Sequence, residues 1–277
     1  MVTMKIGIVQ GRIIYSGGTL QKFPDKLWFK ELSLAHDIGF DYIEWLADSS
    51  YNEENPVWSG KDLDEVFLGI KESGLTPYSI CIDHIMSRPL TDDNVYKKES
   101  SYQDLVSIIQ NAYSFGVKKF ILPILESASV RKSERKISDL KLILLKIIKE
   151  MENKDVIFCL ETDLSAQEHL MLLSNLPMNI GVCYDTGNRT FLGYTPKDEI
   201  PIMAERIFHV HVKDKSANGK NVMLGTGTVN FKETFSVLHG VGYSGSFTLE
   251  TSRDTDEKRA AKTNLAFALE YLKASGF

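Results

Sequence analysis

The chain has 277 residues, 43% hydrophobic and 25% charged, with a formal net charge of −5. That composition excludes a disordered chain and suits one α/β barrel, since such barrels commonly run to ~250 residues as a single unit. The acidic balance disfavours a broad nucleic-acid surface, which needs clustered Lys and Arg.

Strand-like runs occupy residues 5–9, 41–45, 77–82 and 118–124, and four more end at Glu161, Asp185, His211 and Glu250. Each is rich in β-branched or aromatic residues and is followed by turn chemistry, as a buried parallel strand requires. Between them, KLWFKELSLAHDIG, DLDEVFLGIKESG and DLKLILLKIIKEM carry apolar residues at three- and four-residue spacing, the pattern of core-facing helices. Gly39, Gly74, Gly116 and Gly240 follow the periodic residues where left-handed caps belong. Eight strand-helix units predict a (β/α)8 TIM barrel, a single domain over residues 1–277. An open doubly wound sheet satisfies the same alternation, but its functional residues gather at one crevice and not after many strands.

No window approaches the ~18 uninterrupted apolar residues of a membrane span, and the opening MVTMKIGIVQ enters a strand without an export signal. Cys81, Cys159 and Cys183 lack C-x-x-C spacing and read as core thiols of a reducing compartment, so a cytoplasmic location is expected.

If the strands are parallel, Glu161, Asp185, His211 and Glu250 emerge on one face. Three carboxylates and an imidazole suit one divalent cation: manganese, magnesium, cobalt or zinc. Singly, Glu161 reads as a helix-start acid and Asp185 as a turn cap; their recurrence after consecutive strands favours the metal centre. His209 and His211 share a strand face, the deeper His209 reading as an interior hydrogen-bonded residue and His211 as the ligand. Lys213 continues that face towards a substrate oxygen or phosphate, while Asp214 points away and braces the loop. Glu44, Asp83 and His84 also reach the carboxyl face, with His84 a candidate to bond a sugar hydroxyl or Glu44. Trp28, Trp45 and Trp58 either pack the core or line an apolar wall. The loops GRIIYSGG and GTGTVNFKET are candidate anion cradles, with Arg12, Lys213, Lys215 and Arg253 as partners.

In YDTGN, HVHVKD, NVMLGTGTVNF and FTLET the chain resembles the xylose-isomerase-like sugar isomerase and epimerase superfamily over nearly its whole length. The likeness is greatest to the branch of L-ribulose-5-phosphate and L-xylulose-5-phosphate 3-epimerases. It implies one divalent metal held at Glu161, Asp185, His211 and Glu250, and a metal-bound enediolate with Glu161 and Glu250 as acid/base groups. The implied partner is a sugar or sugar phosphate, with no nucleic acid or membrane; homo-oligomerisation stays open. Asn188, shared with the phosphopentulose branch, implies a phosphorylated ligand, whereas epimerases of free sugars have histidine there and arginine where this chain has Ala217. VQGRIIYSGG departs from that branch. An aldose-ketose isomerase fits the same residues, as does a keto-inositol dehydratase starting from the same enolate. An endonuclease IV-like repair enzyme fits less well, because it resembles DTCH where this chain has Asp185 to Asn188 and needs more histidines. A non-enzymatic sugar-binding barrel has no need of the ligand set.

Overall fold

The structure is a computed structural model describing residues 4–14 and 19–277; residues 15–18, the end of the first glycine-bearing loop, lie outside the described part. The first half of the chain contains β1 (Ile6–Val9), α1 (Trp28–Ile38), β2 (Tyr42–Ala47), α2 (Pro56–Ser59), α3 (Leu63–Ser73), β3 (Ser79–Ile82), α4 (His84–Ser87), α5 (Val95–Ser114), β4 (Lys119–Ile124) and α6 (Glu134–Glu150). The second contains β5 (Ile157–Thr162), α7 (Ala166–Leu173), β6 (Ile180–Asp185), α8 (Thr186–Phe191), α9 (Pro196–Met203), β7 (Ile207–Val212), β8 (Asp214–Lys215), β9 (Asn221–Val222), α10 (Phe231–Gly240), β10 (Ser246–Leu249) and α11 (Glu257–Ala274).

Eight strands close a barrel in the order β1-β10-β7-β6-β5-β4-β3-β2, each pair parallel, so the predicted (β/α)8 architecture holds and the open sheet does not. The two short strands β8 and β9 form a hairpin in the loop after β7. Among the described residues no helix is long and apolar enough to cross a membrane.

Helix starts follow local chemistry. Ser133 caps α6 by accepting the Lys136 N–H, and Ser165 with Glu168 forms a capping box on α7. Leu140, Leu144 and Ile147 of α6 face inward, and each such burial stabilises by about 1.5–3 kcal/mol. Leu144→Ala, which leaves a void, is expected to cost about 2–5 kcal/mol. Inside the barrel, Leu46, Cys81, Ile121, Cys159 and Cys183 form a separate apolar cluster drawn from β2 to β6. The thiols are free and buried. Gly39, Gly74 and Gly116 take left-handed φ values of 110°, 76° and 102°. Gly240 does not: it is the last residue of α10, and the left-handed position falls on Gly242 at φ 78° because the helix runs further than its apolar period suggests.

Candidate active site

Parallel strands end at one rim, so a polar residue at each end is aimed at a common point. Register places Asp185 of β6 beside His211 of β7, with Thr248 of β10 on the other side of His211. Glu161 is the penultimate residue of β5, and Glu250 follows directly on β10. One ligand atom from each of Glu161, Asp185, His211 and Glu250 lies within 4.8 Å of the others, and all four residues are buried. The glutamates flank the imidazole, with Glu161 Oε2 at 3.3 Å and Glu250 Oε2 at 3.1 Å from His211 Nδ1.

The tautomer of His211 is set from beneath. Its Nε2 lies 2.8 Å from Glu44 Oε1, and because a carboxylate only accepts, Nε2 carries the hydrogen. Burial opposes charge on His211, but Cys183, Glu44 and Glu161 outweigh it and hold the imidazole well above its ordinary value, so without a cation Nδ1 also carries a proton, facing two carboxylate oxygens; a cation would take that proton's place. His211 Nδ1 and Asp185 Oδ2 are both buried without a hydrogen-bond partner. Lys213 Nζ stands 3.0 Å from Asp185 Oδ2, off the bonding direction, and 2.8 Å from Glu250 Oε2. One ammonium and one imidazolium face the three carboxylates Glu161, Asp185 and Glu250, which leaves net negative charge, and this set of oxygen and nitrogen donors suits a divalent cation.

Electrostatics agree with the geometry. Burial pushes Asp185 up to about 6, Lys213 opposing and Glu161 and Glu250 adding to the rise. Glu250 is held below its ordinary value, since Lys213, His211 and Arg12 together outweigh its burial. Cys183 could join Glu161 and His211 in an alternative donor group, but burial raises its thiol well above the ordinary value and keeps it protonated.

Below the rim lies a closed polar layer. Glu44 Oε2 accepts from Ser79 Oγ at 2.7 Å and stands 2.8 Å from His209 Nε2, while His209 Nδ1 meets Ser246 Oγ at 2.9 Å. Burial pushes His209 down to about 4, so it sits there neutral, as an interior histidine.

Three residues read from sequence as substrate contacts are placed elsewhere. Glu44 is third of the six residues of β2, one layer below the cavity and wholly buried, and it orients His211. His84 starts α4, separated from the end of β3 by Asp83 alone; its ring is buried against Trp58, centroids 5.1 Å apart, and bonds neither Glu44 nor the cavity. Arg12 is buried behind the cavity wall, not on it. Asn188 and Lys213 do line the cavity, a space of about 780 Å³ above the four-residue cluster. Asn188 Nδ2 donates to Glu161 Oε1 at 2.7 Å. The GTGTV loop cannot cradle an anion with its amides, because Gly225, Gly227 and Val229 already donate theirs to the Asp214 carboxylate. Trp28, Trp45 and Trp58 stay off the cavity wall.

Two lining residues carry more than sequence reading assigned to them. Asp83, whose side chain receives the Cys81 thiol at 3.3 Å, is pushed up to about 7 by burial and by Glu250. Gln21 bonds Glu250 Oε1 at 3.0 Å, yet sits in TLQKFP, a stretch without strand or helix period that gave no face to assign.

Among curated relatives, the L-ribulose-5-phosphate 3-epimerase UlaE of Escherichia coli (strain K12) is 25% identical over 264 residues, 89% of each chain. The enzyme of the same name from Salmonella heidelberg (strain SL476) is 23% identical over 260 residues, again 89% of each. The fold is shared with a solved L-ribulose 3-epimerase at TM-score 0.81 and 18% identity, over 99% of this chain and 96% of that one. It is shared too with the IOLI protein, solved with a zinc atom, at TM-score 0.79 and 15% identity, over 98% and 99%. The family described as Xylose isomerase-like TIM barrel matches residues 32–274, and the chain belongs to it.

Proposed function

We propose that the protein is a divalent-metal-dependent isomerase of sugar phosphates, a ketose 3-epimerase whose two acid/base groups are Glu161 and Glu250. One observation carries this reading: the two carboxylates stand 3.3 and 3.1 Å from the same His211 nitrogen. Glu161 lies on β5 and Glu250 directly follows β10, with β6 and β7 between those two strands in the barrel. Inverting a carbon beside a carbonyl requires a proton to leave on one side and return on the other, and two opposed carboxylates do this without moving the substrate. Glu161, Asp185, His211 and Glu250 would hold the cation, which when bound supplies Lewis-acid stabilisation of negative charge on the substrate oxygens. Lys213 adds a fixed positive charge at that place. Asn188 holds Glu161 so that its other oxygen faces the reacting carbon.

The names of the relatives support a phosphorylated ketose. So does the cavity, where Lys215, Lys220 and Arg253 bring cationic groups suited to a phosphate. The test is to incubate Mn2+-loaded protein in deuterated water with a panel of ketoses and ketose phosphates, following products by NMR. Deuterium at carbon 3 of a ketose phosphate, with its epimer appearing, is the expected result. Glu161→Gln and Glu250→Gln should each lose turnover by about 10²–10⁴-fold with the fold intact. Exchange at carbon 1 would indicate an aldose-ketose isomerase, and loss of water a dehydratase. Absence of exchange from every sugar, or activity kept by both Gln variants, refutes the reading.

A further inference from the structure

The two glutamates are held in the same way by different parts of the chain. Glu161 Oε1 takes a hydrogen bond from Asn188 Nδ2 at 2.7 Å, and Glu250 Oε1 takes one from Gln21 Nε2 at 3.0 Å. In each case Oε2 is the oxygen left beside His211 Nδ1. Asn188 is fixed by α8, where its backbone N–H donates to Asp185 Oδ1 at 2.6 Å. Gln21 belongs to no helix or strand, so its amide needs another restraint.

Arg12 provides one. Its Nη2 donates to Gln21 Oε1. A guanidinium has donors and no acceptor, so the amide oxygen stays on Arg12 and the NH2 end must face Glu250. Turned the other way, the amide would set oxygen against carboxylate oxygen. Arg12 Nη2 is itself 3.9 Å from Glu250 Oε1, beyond hydrogen-bond reach, and its side chain is only 1% exposed. Its loop is anchored as well: Gly11 and Ile13 donate their N–H groups to Glu31 Oε1 of α1 at 2.8 and 3.2 Å.

We propose that Arg12 and Gln21 are a positioning pair for Glu250: Arg12 locks the Gln21 amide, and the locked amide keeps one Glu250 oxygen turned to the metal locus. The pair rests on the metal-centre reading for its probe. Mn2+ binding is measured by calorimetry on the wild type, Gln21→Leu, Arg12→Met, Arg12→Lys and the Arg12→Met/Gln21→Leu double variant, with melting curves to check folding. Groups that orient a metal ligand are worth about 10–100-fold in affinity. Gln21→Leu and Arg12→Met should each weaken Mn2+ by about tenfold or more. In the double variant, Arg12→Met should cost clearly less than it does alone, because its positioning effect runs through Gln21 and what remains is its direct charge on Glu250 at 3.9 Å. Arg12→Lys, which keeps a donor, should recover part of the loss.

Single effects that multiply in the double variant overturn the relay, as does wild-type affinity in Gln21→Leu. Should Arg12→Met fail to fold, Gln21→Leu and Arg12→Lys still decide. If the wild type itself binds no Mn2+, the metal reading falls separately, and crystal structures of Gln21→Leu and Arg12→Lys judge the pair. Glu250 displaced in the first and retained in the second supports it; Glu250 unmoved in the first overturns it.

Discussion

Below His211, Glu44 accepts from Ser79 Oγ at 2.7 Å and from His211 Nε2 at 2.8 Å, and both nitrogens of His209 have partners. Above it, His211 Nδ1 and Asp185 Oδ2 are buried with ionic neighbours but no hydrogen-bond partner, and three carboxylates share a space 4.8 Å across. Both layers belong to the same barrel and are buried, the lower one completely and the upper one with Glu161 and Glu250 on the cavity wall. The lower one matches each acceptor to a donor, as a stable interior does. The upper one leaves acceptors facing one another, which folding alone would select against and a bound ligand would repair.

The sharpest way to break this contrast is Glu44→Leu. Removing one member of a buried charged network typically costs about 3–5 kcal/mol, and urea unfolding should register that loss. The substitution also frees the His211 tautomer, so Mn2+ affinity measured by calorimetry should fall about 10–100-fold. A variant as stable as the wild type would mean that the lower layer is not a structural unit.

A pH series probes the upper layer next. In chelator-treated protein Asp83 is raised to about 7 from an ordinary 3.8, by burial first and then by Glu250. As pH climbs, the unfolded chain gives up this proton before the folded one, so stability present at low pH is lost by about pH 7. A shift of this size corresponds to roughly 4 kcal/mol. Asp83→Asn should remove that part of the slope, which denaturant midpoints between pH 5 and 8 would reveal. Glu44 runs in the opposite sense: its His211 and His209 neighbours outweigh burial and hold it below the ordinary range, so its contribution is lost only in acid.

Cation loading should reverse the upper-layer deficit. A metal at 100 times its dissociation constant stabilises the folded state by about 2.7 kcal/mol, visible as a higher melting temperature that a chelator abolishes. Asp185→Asn should melt at one temperature with or without Mn2+.

The convergence of the four strand ends was legible because buried parallel strands read as apolar runs, and each of these runs stops at a lone polar residue. Depth was not legible. In FDYIEW the strand continues through Leu46 and Ala47, so Glu44 lies inside it and not at its end. Nor was direction: α4 begins two residues after Ile82, which carries His84 to the Trp58 side and leaves Asp83 on the cavity. Gln21 could not be found by period at all, since its position depends on a donor nine residues away in a loop. Side chains that alternate on strands leave a signal in the sequence, and those fixed by hydrogen bonds to residues distant along the chain do not.

The smallest effect expected, Thr248→Val, tests whether the lower layer is redundant. Thr248 Oγ1 lies 2.7 Å from Tyr42 Oη, 2.8 Å from His209 Nε2 and 3.3 Å from Glu44 Oε2. Valine keeps the shape and removes the hydroxyl. Tyr42 retains the Phe247 carbonyl at 3.1 Å, His209 retains Glu44, and Glu44 retains Ser79, so no partner is stranded. The loss should therefore stay near the net value of one hydrogen bond, about 1 kcal/mol by urea unfolding, with Mn2+ affinity within about twofold of the wild type. A loss as large as that of Glu44→Leu would show that Thr248, and not the carboxylate, closes the layer, because only an unsatisfied buried group makes one hydroxyl so costly.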